Sequence, residues 1–142
     1  MADNISYCNC LYYSSNALAR IITKMAEEEF SAVNLAPSYA FIVMTVNLNP
    51  GIQAGRLAEI MMLTPSTVTR LVEKLETRNL VKKHVEGRTT MIYPTPGSVE
   101  INEAIKAAWY KLYTRYSGLL GEENARQLTG NIYQSAKKME KQ

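Results

Sequence analysis

Between Thr64 and Thr77 the apolar positions keep a helical period. Val68, Leu71, Val72 and Leu75 recur at i, i+3, i+4 and i+7 and form one face. Thr64 is placed to cap this helix, and Pro65 falls at the first helical position, where no N–H is needed. Ser66, Arg70 and Glu73 point nearly opposite the apolar face, while Thr67, Lys74 and Arg78 turn round one side of it. Upstream, Leu57, Ile60 and Met61 show helical spacing within Gly55–Leu63, and a turn of three to four residues leads into the next helix. Downstream, residues 80–85 and 90–93 read as two strands joined through Glu86-Gly-Arg-Thr89. Helix, turn, helix and hairpin in that order predict a winged helix-turn-helix.

The flanks are helical as well. A first helix is predicted from Ile5 to about Phe30, with Leu11, Leu18, Ile22 and Met25 along one face. After a break at Asn34–Pro37, a second helix starts at Ser38 or Tyr39, buries Tyr39, Ile42, Val43 and Val46, and stops at Asn49-Pro-Gly51. Beyond the hairpin, Thr95 caps and Pro96 opens a long helix to about Leu119. Ile101, Ile105, Ala108, Leu112 and Leu119 form its stripe, with Trp109, Tyr113 and Tyr116 alongside. The last helix, Asn124–Glu140, carries Ala125, Leu128, Ile132, Ala136 and Met139 in a near-heptad stripe. The expected fold is mainly α with a small β-hairpin, one domain over residues 1–142. Its winged helix occupies about 53–95, and long terminal helices occupy about 5–30 and 96–140. Those terminal helices carry more apolar surface than one wing can cover, so they are expected to pair with a second copy.

Composition is that of an ordinary soluble protein, with 46% hydrophobic and 20% charged residues. The net charge of +3 is unevenly placed. From Arg70 to Arg88 there are six basic residues (Arg70, Lys74, Arg78, Lys82, Lys83, Arg88) and three acidic ones (Glu73, Glu76, Glu86), whereas the remaining ten basic and ten acidic residues cancel. Such a local patch is the footprint of a nucleic-acid contact, and its bland alternative is a solvated helix face. Stacking Arg70, Lys74 and Arg78 four residues apart costs an isolated helix about 0.2–0.5 kcal/mol per like-charged pair. That cost disappears when an anion lies alongside.

The motifs Pro65-Ser-Thr-Val-Thr-Arg70, Leu75-Glu76, Leu80-Val81 and Glu86-x-Arg88…Thr95-Pro96 resemble, in register, those of the MarR family of bacterial transcriptional regulators. The resemblance implies a homodimeric repressor that binds a palindromic double-stranded DNA operator through a winged helix. It places Ser66, Thr67, Thr69 and Arg70 in the major groove, Lys74, Lys82 and Lys83 on phosphates, and Arg88 in the minor groove. It also implies a small aromatic ligand in a cleft lined by Tyr12, Tyr13, Tyr39, Trp109 and Tyr113, with Arg20 as carboxylate partner; the alternative is that these rings are core and boundary residues. Three features depart from the family: Glu86 in place of the usual Asp, a wing shorter by a few residues, and Gln53 in place of a Ser/Thr cap.

Chemistry is sparse. His84 is the single histidine, no residues have metal-ligand spacing, and neither a Gly-rich phosphate loop nor a nucleophile elbow occurs. Neither an enzyme nor a metal or cofactor is therefore expected. Cys8 and Cys10, read as i and i+2 of a helix, face different directions, which disfavours a disulfide between them. The resemblance offers a peroxide-sensing role for one of them; packing in an interface is the alternative. The start MADNIS lacks signal-peptide features, and the apolar run Tyr39–Val46 is too short to span a bilayer, so a reducing cytoplasm is expected and no membrane partner. A reading of another class also stands: a winged-helix protein-interaction module without DNA binding.

Overall fold

The computed structural model describes residues 6–141. Its elements are α1 (Leu11–Phe30), α2 (Pro37–Leu48), β1 (Ile52–Gln53), α3 (Ala54–Met61), α4 (Pro65–Thr77), β2 (Val81–Glu86), β3 (Thr89–Pro94), α5 (Pro96–Leu120) and α6 (Glu122–Glu140). A short 3-10 turn, Ser31–Val33, follows α1. The residues group into two compact units. One holds the chain up to Met25 and from Tyr110 onward, and the other is Ala26–Trp109.

The Ala26–Trp109 unit is built around α2. Ala40, Ile42, Val43, Met44 and Val46 are all buried, so the helix is covered on nearly every side, as expected of a helix that is apolar all round. It packs against α3, α4 and β3. Tyr39, expected in the core, is half-buried, and Ala40 and Met44 take the interior positions instead.

The helix-turn-helix forms where its sequence signals place it, but α3 buries Leu57 and Ala58, leaving Met61 half-buried and Ile60 exposed. The Leu63 N–H reaches the Ala58 carbonyl (3.1 Å) and the Met62 N–H that of Glu59 (3.2 Å). This closure forces Met62 to φ +55°, a conformation costing a side-chain-bearing residue about 1–2 kcal/mol.

The wing carries one strand more than the expected hairpin. β1 pairs with β3, Ile52 opposite Ile92, and the sheet order is β1-β3-β2, all antiparallel. Gly51 makes the join: at φ +86° its N–H donates to the Ile92 carbonyl at 2.8 Å. A two-residue strand is too short to leave an alternating pattern, so only the fold reveals it.

The other unit is thinly buried. Met25, Leu112 and Ala125 are its buried apolar residues among those described, whereas Leu11, Ile21, Leu119, Leu128, Ile132 and Met139 stand exposed. An open groove of about 590 Å³ runs between the start of α1 and the end of α6, lined by Leu11, Tyr12, Ile132, Ala136 and Met139 among others.

Two boundaries differ from expectation. Ile5 lies outside the described residues, and α1 starts at Leu11. Before it the chain turns, held by Cys10 N–H to the Tyr7 carbonyl (2.8 Å) and Ser14 Oγ to the Cys8 carbonyl (3.1 Å). Cys8 and Cys10 therefore precede the helix; local side-chain bonds from serine compete with helical ones here. At the other end α6 begins at Glu122, where Glu122 and Glu123 face the positive end of the helix dipole. No single helix among the described residues is long and apolar enough to cross a membrane.

Candidate nucleic-acid interface

The site is built on α4. Val68, Leu71, Val72 and Leu75 are buried, which fixes the helix's rotation about its own axis and leaves Ser66, Thr69, Arg70, Glu73 and Lys74 outward. Thr64 caps it as expected, its Oγ1 accepting from the Thr67 N–H at 3.3 Å. The hydroxyls of the first turn are tied down: the Thr67 Oγ1 lies 2.8 Å from that of Thr64, Ser66 Oγ 3.3 Å from it, and Thr69 Oγ1 donates to the Pro65 carbonyl at 3.0 Å. Thr67 is half-buried, while Ser66 and Thr69 are exposed and keep free lone pairs.

The cations divide into two kinds. Arg70, Lys74, Arg78, Lys82 and Arg88 are exposed. Lys83 is half-buried, with Nζ 3.5 Å from Glu76 Oε1 and its backbone N–H donating to Glu76 Oε2 at 3.2 Å. Strand alternation explains the split, since neighbouring residues face opposite sides of the sheet. Lys82, opposite Tyr93, projects away from α4, and Lys83 projects toward it. Glu76 thereby ties α4 to the outer edge of the wing. Sequence reasoning treated the two lysines alike and gave Glu76 no role; the period-2 rule was the available signal.

At the wing tip only Gly87 and Arg88 connect β2 to β3, with Glu86 paired to Thr89. Gly87 takes φ +64° at the first central position, the arrangement of a type II′ turn. The short loop leaves Arg88 exposed at its end.

A second group of polar residues went unnoticed in the sequence as a set. Thr95 and Ser98 cap α5 reciprocally: Ser98 N–H donates to Thr95 Oγ1 (3.1 Å) and Thr95 N–H to Ser98 Oγ (2.9 Å). Thr95 Oγ1 also donates to the Asn79 carbonyl at 2.8 Å, just past the end of α4. The T-x-x-S spacing signalled the cap, but nothing in the sequence signalled the bond to Asn79.

The candidate ligand residues fall in both units. Tyr12, Tyr13, Arg20 and Tyr113 belong to the first, Tyr39 and Trp109 to the second. Tyr13 rests against Tyr7 with ring centroids 5.6 Å apart, and Arg20 is exposed. Within the second unit, Trp109 meets Phe41 edge-on at 5.9 Å, and both line a cavity of about 170 Å³ with Met44, Asn102 and Lys106. Among the described residues no cluster of His, Cys, Asp or Glu is arranged to hold a metal.

Residues 33–88, from the turn before α2 to the wing tip, match the MarR family. Over that stretch the winged helix is similar to MarR-family regulators. The architecture matches solved MarR-type structures over most of the chain. The PcaV transcriptional regulator from Streptomyces coelicolor, in complex with its natural ligand, superimposes with a TM-score of 0.84 at 16% identity, over 96% of this chain and 98% of that one. The transcriptional repressor CouR bound to a 23-mer DNA duplex gives 0.82 at 16% identity, over 94% and 99%. The S. aureus MepR–DNA complex gives 0.78 at 16%, over 96% and 99%. At such identities the likeness is one of fold. No curated protein matches the chain in sequence.

Proposed function

We propose that this chain is a MarR-family, sequence-specific DNA-binding regulator, a repressor acting as a homodimer on a palindromic operator in the cytoplasm. The observation that carries the reading is the cation row of α4. Arg70, Lys74 and Arg78 project from a helix whose opposite wall is fixed in a core, and no acidic side chain among the described residues pairs with them. A buried wall leaves the helix one exposed face, and there the cations outnumber Glu73 and Glu76, as a phosphate-lined groove favours. Arg70, with Ser66, Thr67 and Thr69, enters the major groove; Lys74 and Lys82 hold phosphates; Arg88 reaches for the minor groove. Lys83 joins them only as far as Glu76 releases it. The exposed stripes of α1 and α6 supply the surface for a second copy, and two-fold symmetry matches a palindrome.

A small aromatic acid is the proposed effector. The α2–α5 cavity supports it, since its aromatic wall of Phe41 and Trp109 stands beside the Asn102 amide and Lys106, whose ammonium lies 3.5 Å from Glu103 Oε1 and would have to turn to a ligand. Its volume of about 170 Å³ suits a single ring. Selection of duplexes from a random pool, followed by binding isotherms and sedimentation of the complex, tests the reading. A palindromic consensus bound by two chains is expected. Binding without sequence preference, or none, would overturn it.

A further inference from the structure

The polar chain running from Asn79 to Asn102 has more in it than helix capping needs. Beginning at the end of the recognition helix, the Asn79 carbonyl accepts from Thr95 Oγ1 (2.8 Å), and that oxygen accepts from the Ser98 N–H (3.1 Å). The Ser98 hydroxyl has one proton and two acceptors in reach, the Thr95 carbonyl at 2.9 Å and Asn47 Oδ1 at 3.2 Å. Asn47, on α2, spends both amide hydrogens on α5: one on the Ser98 carbonyl (3.0 Å), one on Asn102 Oδ1 (2.8 Å). Thr95 and Ser98 are buried, so the bonds between them are shielded from competing water, while those to Asn79, Asn47 and Asn102 are part-buried.

Four pieces of the reading head meet in this chain: the α4 terminus, the exit of β3, the first turn of α5, and α2. The α4 end is itself fixed. Asn79 sits at φ +59°, and the Leu80 N–H closes back on the Leu75 carbonyl at 2.9 Å, so the Asn79 carbonyl has a set direction. Capping α5 alone requires the Thr95–Ser98 pair. The bond out to Asn79 and the two from Asn47 do nothing for the cap; the first ties the end of α4 to the start of α5, and the other two tie α5 to α2.

We propose that Thr95 and Asn47 are positioning residues for sequence discrimination. They touch no DNA. They hold α4 so that Arg70 and the wing meet their targets together, which is a requirement for reading bases and not for gripping phosphates. The inference rests on the DNA-reading function proposed above.

The test compares affinity for a duplex selected by the native chain with affinity for a random duplex, both across a salt series. Thr95→Val keeps the shape and removes the hydroxyl; the ratio of the two affinities should fall roughly tenfold, the size expected from losing two hydrogen bonds. Random-duplex affinity and the salt slope should stay at native values, since a general loss of folded protein would lower both affinities equally. Thr95→Ser keeps the hydroxyl and should restore the ratio. If Thr95→Val does not fold, Asn47→Ala, at the half-buried end of the chain, should lower the ratio in the same direction. Native ratios in the folded variants, or a Thr95→Ser ratio as low as that of Thr95→Val, would overturn the proposal. A native chain that selects no duplex would instead overturn the DNA-reading function, and this inference with it.

Discussion

The two units of this chain solve the burial problem differently. In Ala26–Trp109 the large core positions are covered: Phe30, Ile42, Leu57, Leu75, Ile92 and Ile105 are fully buried. In the other unit, long helices with clear apolar stripes leave most of them uncovered. Leu11 is 69% exposed, Ile132 50% and Met139 57%. Charge is divided the other way. The self-covered unit shows an unpaired basic face, while in the uncovered one Arg126 bridges Glu122 and Glu123 on its own helix. One unit is finished as a fold and leaves cations exposed; the other is unfinished and leaves apolar side chains exposed.

The largest effect should come from removing the unfinished surface. A chain truncated after Leu120 loses Leu128, Ile132, Ala136 and Met139 and exposes the surfaces they would face. It should aggregate or lose its fold, as followed by light scattering and circular dichroism. A soluble truncated monomer with native operator affinity would erase the distinction between the units.

Arg70→Ala probes the finished unit. An arginine in the first turns of a recognition helix can bond guanine O6 and N7 together, worth about 1–3 kcal/mol of discrimination. Isotherms should show that loss on the selected operator and little on random DNA. Equal losses on both would reassign Arg70 to the backbone.

The wing lysines sharpen the point that exposure, and not charge alone, makes a contact. Lys82→Ala should lower the slope of log affinity against log salt by about one unit. Lys83→Ala should change that slope much less, because its ammonium is held by Glu76. Matching slopes for the two variants would show that Lys83 leaves Glu76 when DNA binds.

The smallest effect is expected at the cysteines. Cys8 and Cys10 are exposed in a turn, and no lysine or arginine lies near them in sequence. Mild peroxide should leave operator affinity unchanged in the native chain and in a Cys8→Ser, Cys10→Ser variant alike. Reversible loss of binding in the native chain alone would make the first unit a redox sensor.

Much of this could be read along the chain because it is local. A helix declares its buried face by a 3.6-residue period, so Val68, Leu71, Val72 and Leu75 located the core side of α4, and the basic side followed. Caps are equally local: Thr64 and Thr95 stood where side-chain oxygens meet the first free N–H groups, followed each time by proline. The hairpin turn declared itself through Gly87.

What the tertiary structure decided lay between segments distant in sequence. β1 exists because Gly51 brings Ile52 alongside Ile92, forty residues on, and two residues carry no period of their own. Lys82 and Lys83 look alike as letters, and only the docking of β2 beside α4 gave one to Glu76 and left the other to solvent. Asn47 and Asn79 are ordinary polar residues near helix ends until α5 brings Ser98 to the first and Thr95 to the second. Periodicity and capping are properties of a few consecutive residues, whereas a hydrogen bond across fifty residues depends on how whole helices pack, which no short stretch of sequence contains.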